Sequence, residues 1–284
     1  MADISIQQAM LWRGGDGQSR LLGRSPGFLD DWIVEIERLA TGFGARPSGV
    51  ACPECVFAQA IAKQLVAIAQ VSGPEGTETS ALVFRFLVLD RRDYRDQIGD
   101  PFVLADRFPA PWHLRGELPV LPWSADSVKH RSVEEVRAVL QRADGPILLG
   151  GAQALVDGAR LYFVRPAPDP DLIRGLWLLL PTSTRRELWP ASFAFSVELG
   201  FHAIALPATQ GLNLAGYLDE NQAGDYPEGR YELNLQIAAE SNDQAALNAL
   251  FARRSRSETM RLGLILVAVF LVLAIVFRLV QFFR

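Results

Sequence analysis

Apolar residues fall into short blocks over the first ninety positions. ISIQQAMLWR (4–13) predicts a strand, GGDG (14–17) a turn, and SRLLGR (19–24) the returning strand of a hairpin. FLDDWIVEIERLA then places Phe28, Trp32, Ile33, Ile36 and Leu39 at helical spacing. Ser25 reads as its N-cap and Pro26 as its first helical residue. CVFAQAIA, LVAIAQVS and ALVFRFLVLD, within 55–90, are apolar and β-branched and predict two or three strands, with GPEGTETS (73–80) as a hairpin loop. DRRDYRDQ begins a short helix, and Asp100-Pro101 opens a further segment, FVLADRF.

Residues 108–131 are rich in Pro and Trp and read as irregular. Ser132 then caps a helix, VEEVRAVLQRA, with Glu135 completing a capping box. PILLGG predicts a strand, AQALVDG a short helix, RLYFV a strand, and LIRGLWLLLP a helix ended by Pro181. ASFAFS and HAIALP predict strands, and 211–229 a Gly- and acid-rich loop. RYELNLQIAAESNDQAALNALFARR reads as one helical segment. The expected class is α+β: mixed, largely antiparallel sheets with segregated helices, plus one C-terminal transmembrane helix. The expected organisation is a globular domain over 1–210 with a sub-boundary near 108–131, a loop and helical linker over 211–258, and an anchor over 259–284.

That anchor rests on LGLILVAVFLVLAIVF, from Leu262 to Phe277, which holds no charge and no amide. As a helix it reaches about 24 Å, and about 33 Å if continued to Phe283, against a hydrocarbon layer of about 30 Å. Leu262, Leu266, Phe270, Leu273 and Phe277 mark the expected span. Arg253, Arg254, Arg256 and Arg261 precede it, while Arg278 and Arg284 follow, which favours a cytoplasmic globular domain. The first residues lack a basic region followed by an apolar run, so no signal peptide is expected. The expected topology is therefore tail-anchored, single-pass, in a bacterial inner membrane.

Composition sharpens this in two ways. A net charge of −4 over 284 residues argues against a general nucleic-acid binder. Two cysteines give no disulfide framework and fit a reducing compartment.

No catalytic motif stands clear. Gly23-Arg24-Ser25-Pro26-Gly27 matches the G-x-S-x-G pattern. However, the residue after the nucleophile would be Pro26, which has no N–H for an oxyanion hole. Cys52-Pro-Glu-Cys55 is a C-x-x-C, a candidate thiol redox pair. Zinc would need two more ligands, and His113, His130 and His202 lack paired spacing. Leu148-Leu149-Gly150-Gly151 lacks the third glycine of a dinucleotide fingerprint, and the chain has no P-loop. No cofactor is therefore expected. Asp30-Asp31 and Arg91-Arg92-Asp93 read as solvated faces. A polar cleft around Arg185, Arg186 and Asp157 is the other enzymatic alternative.

Several phrases together carry a likeness. They are Gln8-Ala9, Arg24-Ser25-Pro26-Gly27, Asp93-Tyr94, Asp100-Pro101-Phe102 and Leu155-Val156-Asp157-Gly158. Leu179-Leu180-Pro181 then leads through Thr184-Arg185 to Leu188-Trp189-Pro190-Ala191-Ser192-Phe193. Residues 4–207 so resemble the N-terminal domain of the GTPase-associated proteins of bacterial conflict systems. The resemblance implies association with a GTPase rather than GTPase activity, and it carries no catalytic residues. The expected function is a membrane-anchored, non-enzymatic adaptor binding a protein partner. The alternative is a membrane-tethered enzyme using Cys52 and Cys55 or the polar cleft.

Overall fold

The computed structural model describes residues 4–73, 80–124 and 130–252, together with Ile265, Val267, Phe270 and Leu271. The protein is α+β, built on one mixed sheet with ten α-helices among the described residues.

The front half is an antiparallel array. β1 (Ile4–Arg13) turns through Gly14 to β2 (Ser19–Arg24). β3 (Cys55–Ile61), β4 (Leu65–Ser72) and β5 (Leu82–Asp90) form a meander, and β5 pairs back onto β1. Both faces are covered, which is why these strands read as near-continuous apolar runs rather than alternating ones. Phe57, Ala69 and Phe86 lie opposite one another across β3, β4 and β5. Phe43, at the C-terminus of α1 (Asp30–Gly42), packs on Phe57 at 5.4 Å and on Phe84 at 5.4 Å. The opposite face carries Gln8, Gln70 and Arg85, beneath residues 105–109.

Past β5 the chain runs through α2 (Arg91–Asp93) into a π-helical turn, Tyr94–Ile98, closed by Gly99 at φ 63°, a left-handed position that favours glycine. Asp100 caps α3 (Pro101–Arg107) by accepting the Phe102 N–H at 3.0 Å. The stretch after α3 lies back along the sheet: β6 (Gly116–Glu117) pairs with β2, and β7 (Leu121–Trp123) pairs with β1.

The back half is parallel and helix-rich. α4 (Val133–Leu140), α5 (Gly145–Val156), β8 (Arg160–Val164), α6 (Pro170–Leu179) and α7 (Thr182–Arg185) precede β9 (Pro190–Ala191) and β10 (Ala203–Leu206). β11 (Tyr217–Leu218), α8 (Glu220–Gly224), α9 (Arg230–Glu240) and α10 (Gln244–Phe251) complete it. β10 lies parallel between β8 and β9, and β11 adds to the outer side of β8. The two halves meet where Phe57 opposes Ala191. Ser192 closes the join, its Oγ accepting the Val56 N–H and its N–H donating to the Val56 carbonyl, both at 2.8 Å.

Four local expectations are corrected. Ser25 does not cap α1, whose N-cap is Leu29 without a side-chain bond. Instead the buried Ser25 hydroxyl accepts the Gln8 N–H at 3.0 Å and donates to Gln7 Oε1 at 2.7 Å, pinning β2 to β1. PILLGG is not a strand but the start of α5. A short apolar run fits either element by periodicity alone. Gly150 sits in that helix because a Cβ there would stand 2.2 Å from the Ala223 carbonyl oxygen of α8. ASFAFS and HAIALP keep only the short strands β9 and β10. The final helical segment is broken into α9 and α10 by Asn242, at φ 57°. Ser132 and Glu135 do form the expected capping box of α4.

Leu262, Leu266, Leu273 and Phe277 lie outside the described residues, as does most of the loop at 73–80. Among the described residues, no helix is long and apolar enough to cross a membrane.

Candidate functional site

The C-x-x-C folds as the lead-in to β3. The Cys52 carbonyl accepts the Gly73 N–H at 2.7 Å, and the Pro53 carbonyl accepts the Ser72 hydroxyl at 2.6 Å, so the loop is clipped to the end of β4. Both thiols are buried, with Sγ atoms 3.9 Å apart. The two sulfurs are not equivalent. The hydrogen bond from Cys55, aided by nearby Arg46, holds Cys52 below the usual thiol range against the opposing effect of burial. Burial pushes Cys55 well up, and its bond to Cys52 adds to that. Of the two, Cys52 is therefore the thiol that gives up its proton more readily. Cys55 lines a cavity of about 330 Å³ together with Gln70, Ser192 and the ion-paired Asp106 and Arg174. No cluster of three or more His, Cys, Asp or Glu suited to a metal ion occurs among the described residues.

Arg185, Arg186 and Asp157 are placed with different partners. Arg185, buried at the end of α7, pairs with the Asp100 carboxylate. Arg186 donates to the Asp96 carbonyl at 3.3 Å, on the π-helical turn. Asp157 follows α5 and accepts from Gln153 Nε2 at 2.8 Å. Burial lowers the Arg185 guanidinium to about 10.

Two features escaped sequence reasoning. Arg85 is buried and bonded entirely to neutral acceptors. Its Nε and Nη2 reach Gln8 Oε1 at 2.8 and 2.7 Å, and Nη1 reaches Gln70 Oε1 at 2.9 Å and the Phe108 carbonyl at 2.6 Å. Gln70 and Gln8 donate onward to the carbonyls of Ala105 and Pro119. This network fixes the 105–119 segment over the sheet. Its sequence signal was available: Gln8, Gln70 and Arg85 interrupt otherwise apolar strands.

The second feature is a cleft of about 540 Å³ at the corner where β5 passes into α2. Lys63, Arg91, Arg92, Arg95 and Arg186 line it, against Asp90 and Asp96. Arg91 lies over the Trp189 ring at 5.8 Å, and its N–H holds the Gln64 carbonyl at 2.7 Å. By sequence Arg91 and Arg92 read as a solvated face; Lys63 and Arg186 join them only in three dimensions.

The four described residues of the apolar tail, Ile265, Val267, Phe270 and Leu271, are helical and more than half exposed, from 51 to 64 %. A scan against protein-family models finds no match for this chain, and a search of the curated proteins finds no similar sequence.

Proposed function

We propose that this protein is a membrane-held adaptor: an α+β domain kept at a bilayer by the apolar segment 262–277, where it binds a protein partner. The observation that carries the reading is the exposure of Ile265, Val267, Phe270 and Leu271. Elsewhere most large apolar side chains are gathered into one core, and exposed ones such as Leu29, Val34 and Ile237 sit among polar neighbours in sequence rather than in an uncharged run. A helix that presents four such residues within seven positions of water, in a run without charge, demands cover. A hydrocarbon layer supplies it along the whole run, and the arginines at 253–261 suit the headgroup side. Tethering raises the local concentration of the domain without adding a contact.

The partner is a GTPase, on the likeness of residues 4–207 to GTPase-associated protein N-terminal domains. A non-enzymatic role is supported by the way candidate groups are occupied: Ser25 pins a hairpin, and Arg185 and Asp100 hold α7 to α3. The test is co-capture from solubilised membranes with GTPases encoded next to its gene, loaded with GDP or with a non-hydrolysable GTP analogue. Binding in at least one nucleotide state is expected. Capture of nothing in either state overturns the adaptor reading.

A second reading has its own observation, the 3.9 Å approach of two thiols with opposite pKa shifts. Oxidation by a disulfide would join Cys52 and Cys55, transferring two electrons and two protons to the reagent's sulfurs. A Cys52→Ser/Cys55→Ser protein that retains full cellular function excludes it.

A further inference from the structure

The cationic cleft is the strongest unassigned feature of the fold. It gathers five positive side chains in a chain whose net charge is −4. Its charges are poorly neutralised from within. The cleft's own carboxylates are Asp90, which caps Arg92's own N–H at 2.7 Å, and Asp96; among the described residues Arg95 is the one cation of the five in an ion pair, with Glu187 at 3.4 Å. Lys63 and the Arg92 guanidinium have no hydrogen bond or ion pair among the described residues. The Nε atoms of Arg91 and Arg186 are buried and find no acceptor there. A buried donor without an acceptor is costly, and like charges placed together add to the cost. Both are relieved by an anion.

The cleft is built on the β3–β4 turn, the segment following β5 and the C-terminal end of α7. Arg91 is held by Gln64 and by the Trp189 ring, and Arg186 by the Asp96 carbonyl. Arginine forks match phosphate oxygens in pairs, whereas lysine contributes a point charge at the rim. The volume, about 540 Å³, suits a small ligand. The described lining has no aromatic or aliphatic side chain, since Trp189 lies behind Arg91. No apolar wall is there to hold an acyl chain.

We infer that the cleft formed by Lys63, Arg91, Arg92, Arg95 and Arg186 is a binding site for a phosphomonoester or diphosphate group. The source is either a soluble phosphorylated metabolite or a phosphorylated lipid headgroup, with the same chemistry at the cleft. The inference does not depend on the adaptor reading, because it rests on the cleft's own residues alone.

The test uses the full chain in nanodiscs of phosphatidylcholine, titrated calorimetrically with inorganic pyrophosphate. Saturable, salt-sensitive binding is expected. Lys63→Glu/Arg92→Glu should weaken it by about tenfold or more. Both residues are exposed, and a thermal melt verifies folding. Arg20→Glu is the control: Arg20 pairs with Trp12, which lies opposite Val83 at the far end of β5, so binding should be nearly unchanged. A second arm adds phosphatidic acid to the discs. Loss of pyrophosphate binding there assigns the site to a lipid headgroup, and persistence assigns it to a soluble ligand. Absence of saturable pyrophosphate binding in phosphatidylcholine discs overturns the inference. Equal affinity in the folded Lys63→Glu/Arg92→Glu protein overturns it as well.

Discussion

Arg85 and Arg91 stand on either side of the end of β5 and have opposite fates. Arg85 is buried under residues 105–109, and its donors meet the oxygens of Gln8, Gln70 and Phe108. Arg91 lines an open cleft with a buried Nε that no described residue satisfies. A charge fully surrounded by protein acceptors serves the fold. One left with spare donors beside other cations is available to a ligand. Residue type is identical at the two sites, so only the count of acceptors separates structure from recognition.

The largest effect expected from this contrast is at Arg85. Replacing it by Met leaves Gln8 Oε1, Gln70 Oε1 and the Pro109 carbonyl, which accepts from Arg85 Nη1 at 3.1 Å, without that donor, and should cost about 3 kcal/mol of stability in chemical denaturation. A loss below about 1 kcal/mol would put Arg85 in the same class as Arg91.

His202 offers the same contrast for an imidazole. Its Nδ1 accepts the Trp189 N–H at 3.0 Å, and burial together with Arg160 lowers its pKa from 6.5 to about 4. As pH falls through this window the unfolded chain takes up a proton that the folded chain refuses. Stability present above pH 6.5 is therefore lost progressively toward pH 4, by about 2 kcal/mol for a partly shielded ring. His202→Asn, which keeps an acceptor, should flatten that part of the denaturation-midpoint profile.

Smaller still is the asymmetry of the thiols. Cys52 should alkylate at a lower pH than a cysteine in an unstructured peptide, with Cys55 lagging, as read by peptide mass spectrometry. Equal labelling of the two would contradict the opposite shifts. At the bottom of the scale, Lys63→Glu/Arg92→Glu should change stability by no more than about 0.5 kcal/mol. A larger loss would show that the cleft cations support the fold after all.

The sequence made the antiparallel half legible because its strands are long apolar runs separated by glycine-bearing turns. β1, β2, β3, β4 and β5 fall where the pattern puts them. The parallel half was harder. Its strands β9 and β11 have two residues each, too few for a period to register. The role of Gly150 shows only once α8 is seen pressed against it. Ser25 shows how a good local cap signal loses to tertiary structure: Gln7 and Gln8 claim its hydroxyl first. The Cys52–Cys55 contact was legible from spacing alone. The cationic cleft was not, because Lys63, Arg91 and Arg186 come from the β3–β4 turn, α2 and the residue after α7.

The account stands on an apolar helix that faces lipid. Its direct test is a nitroxide placed on Phe270→Cys, with Cys52 and Cys55 changed to serine, in the full chain in nanodiscs. The account predicts easy collision with molecular oxygen and little with a water-soluble nickel chelate. Free access of the nickel chelate, or exclusion of both reagents, would contradict it.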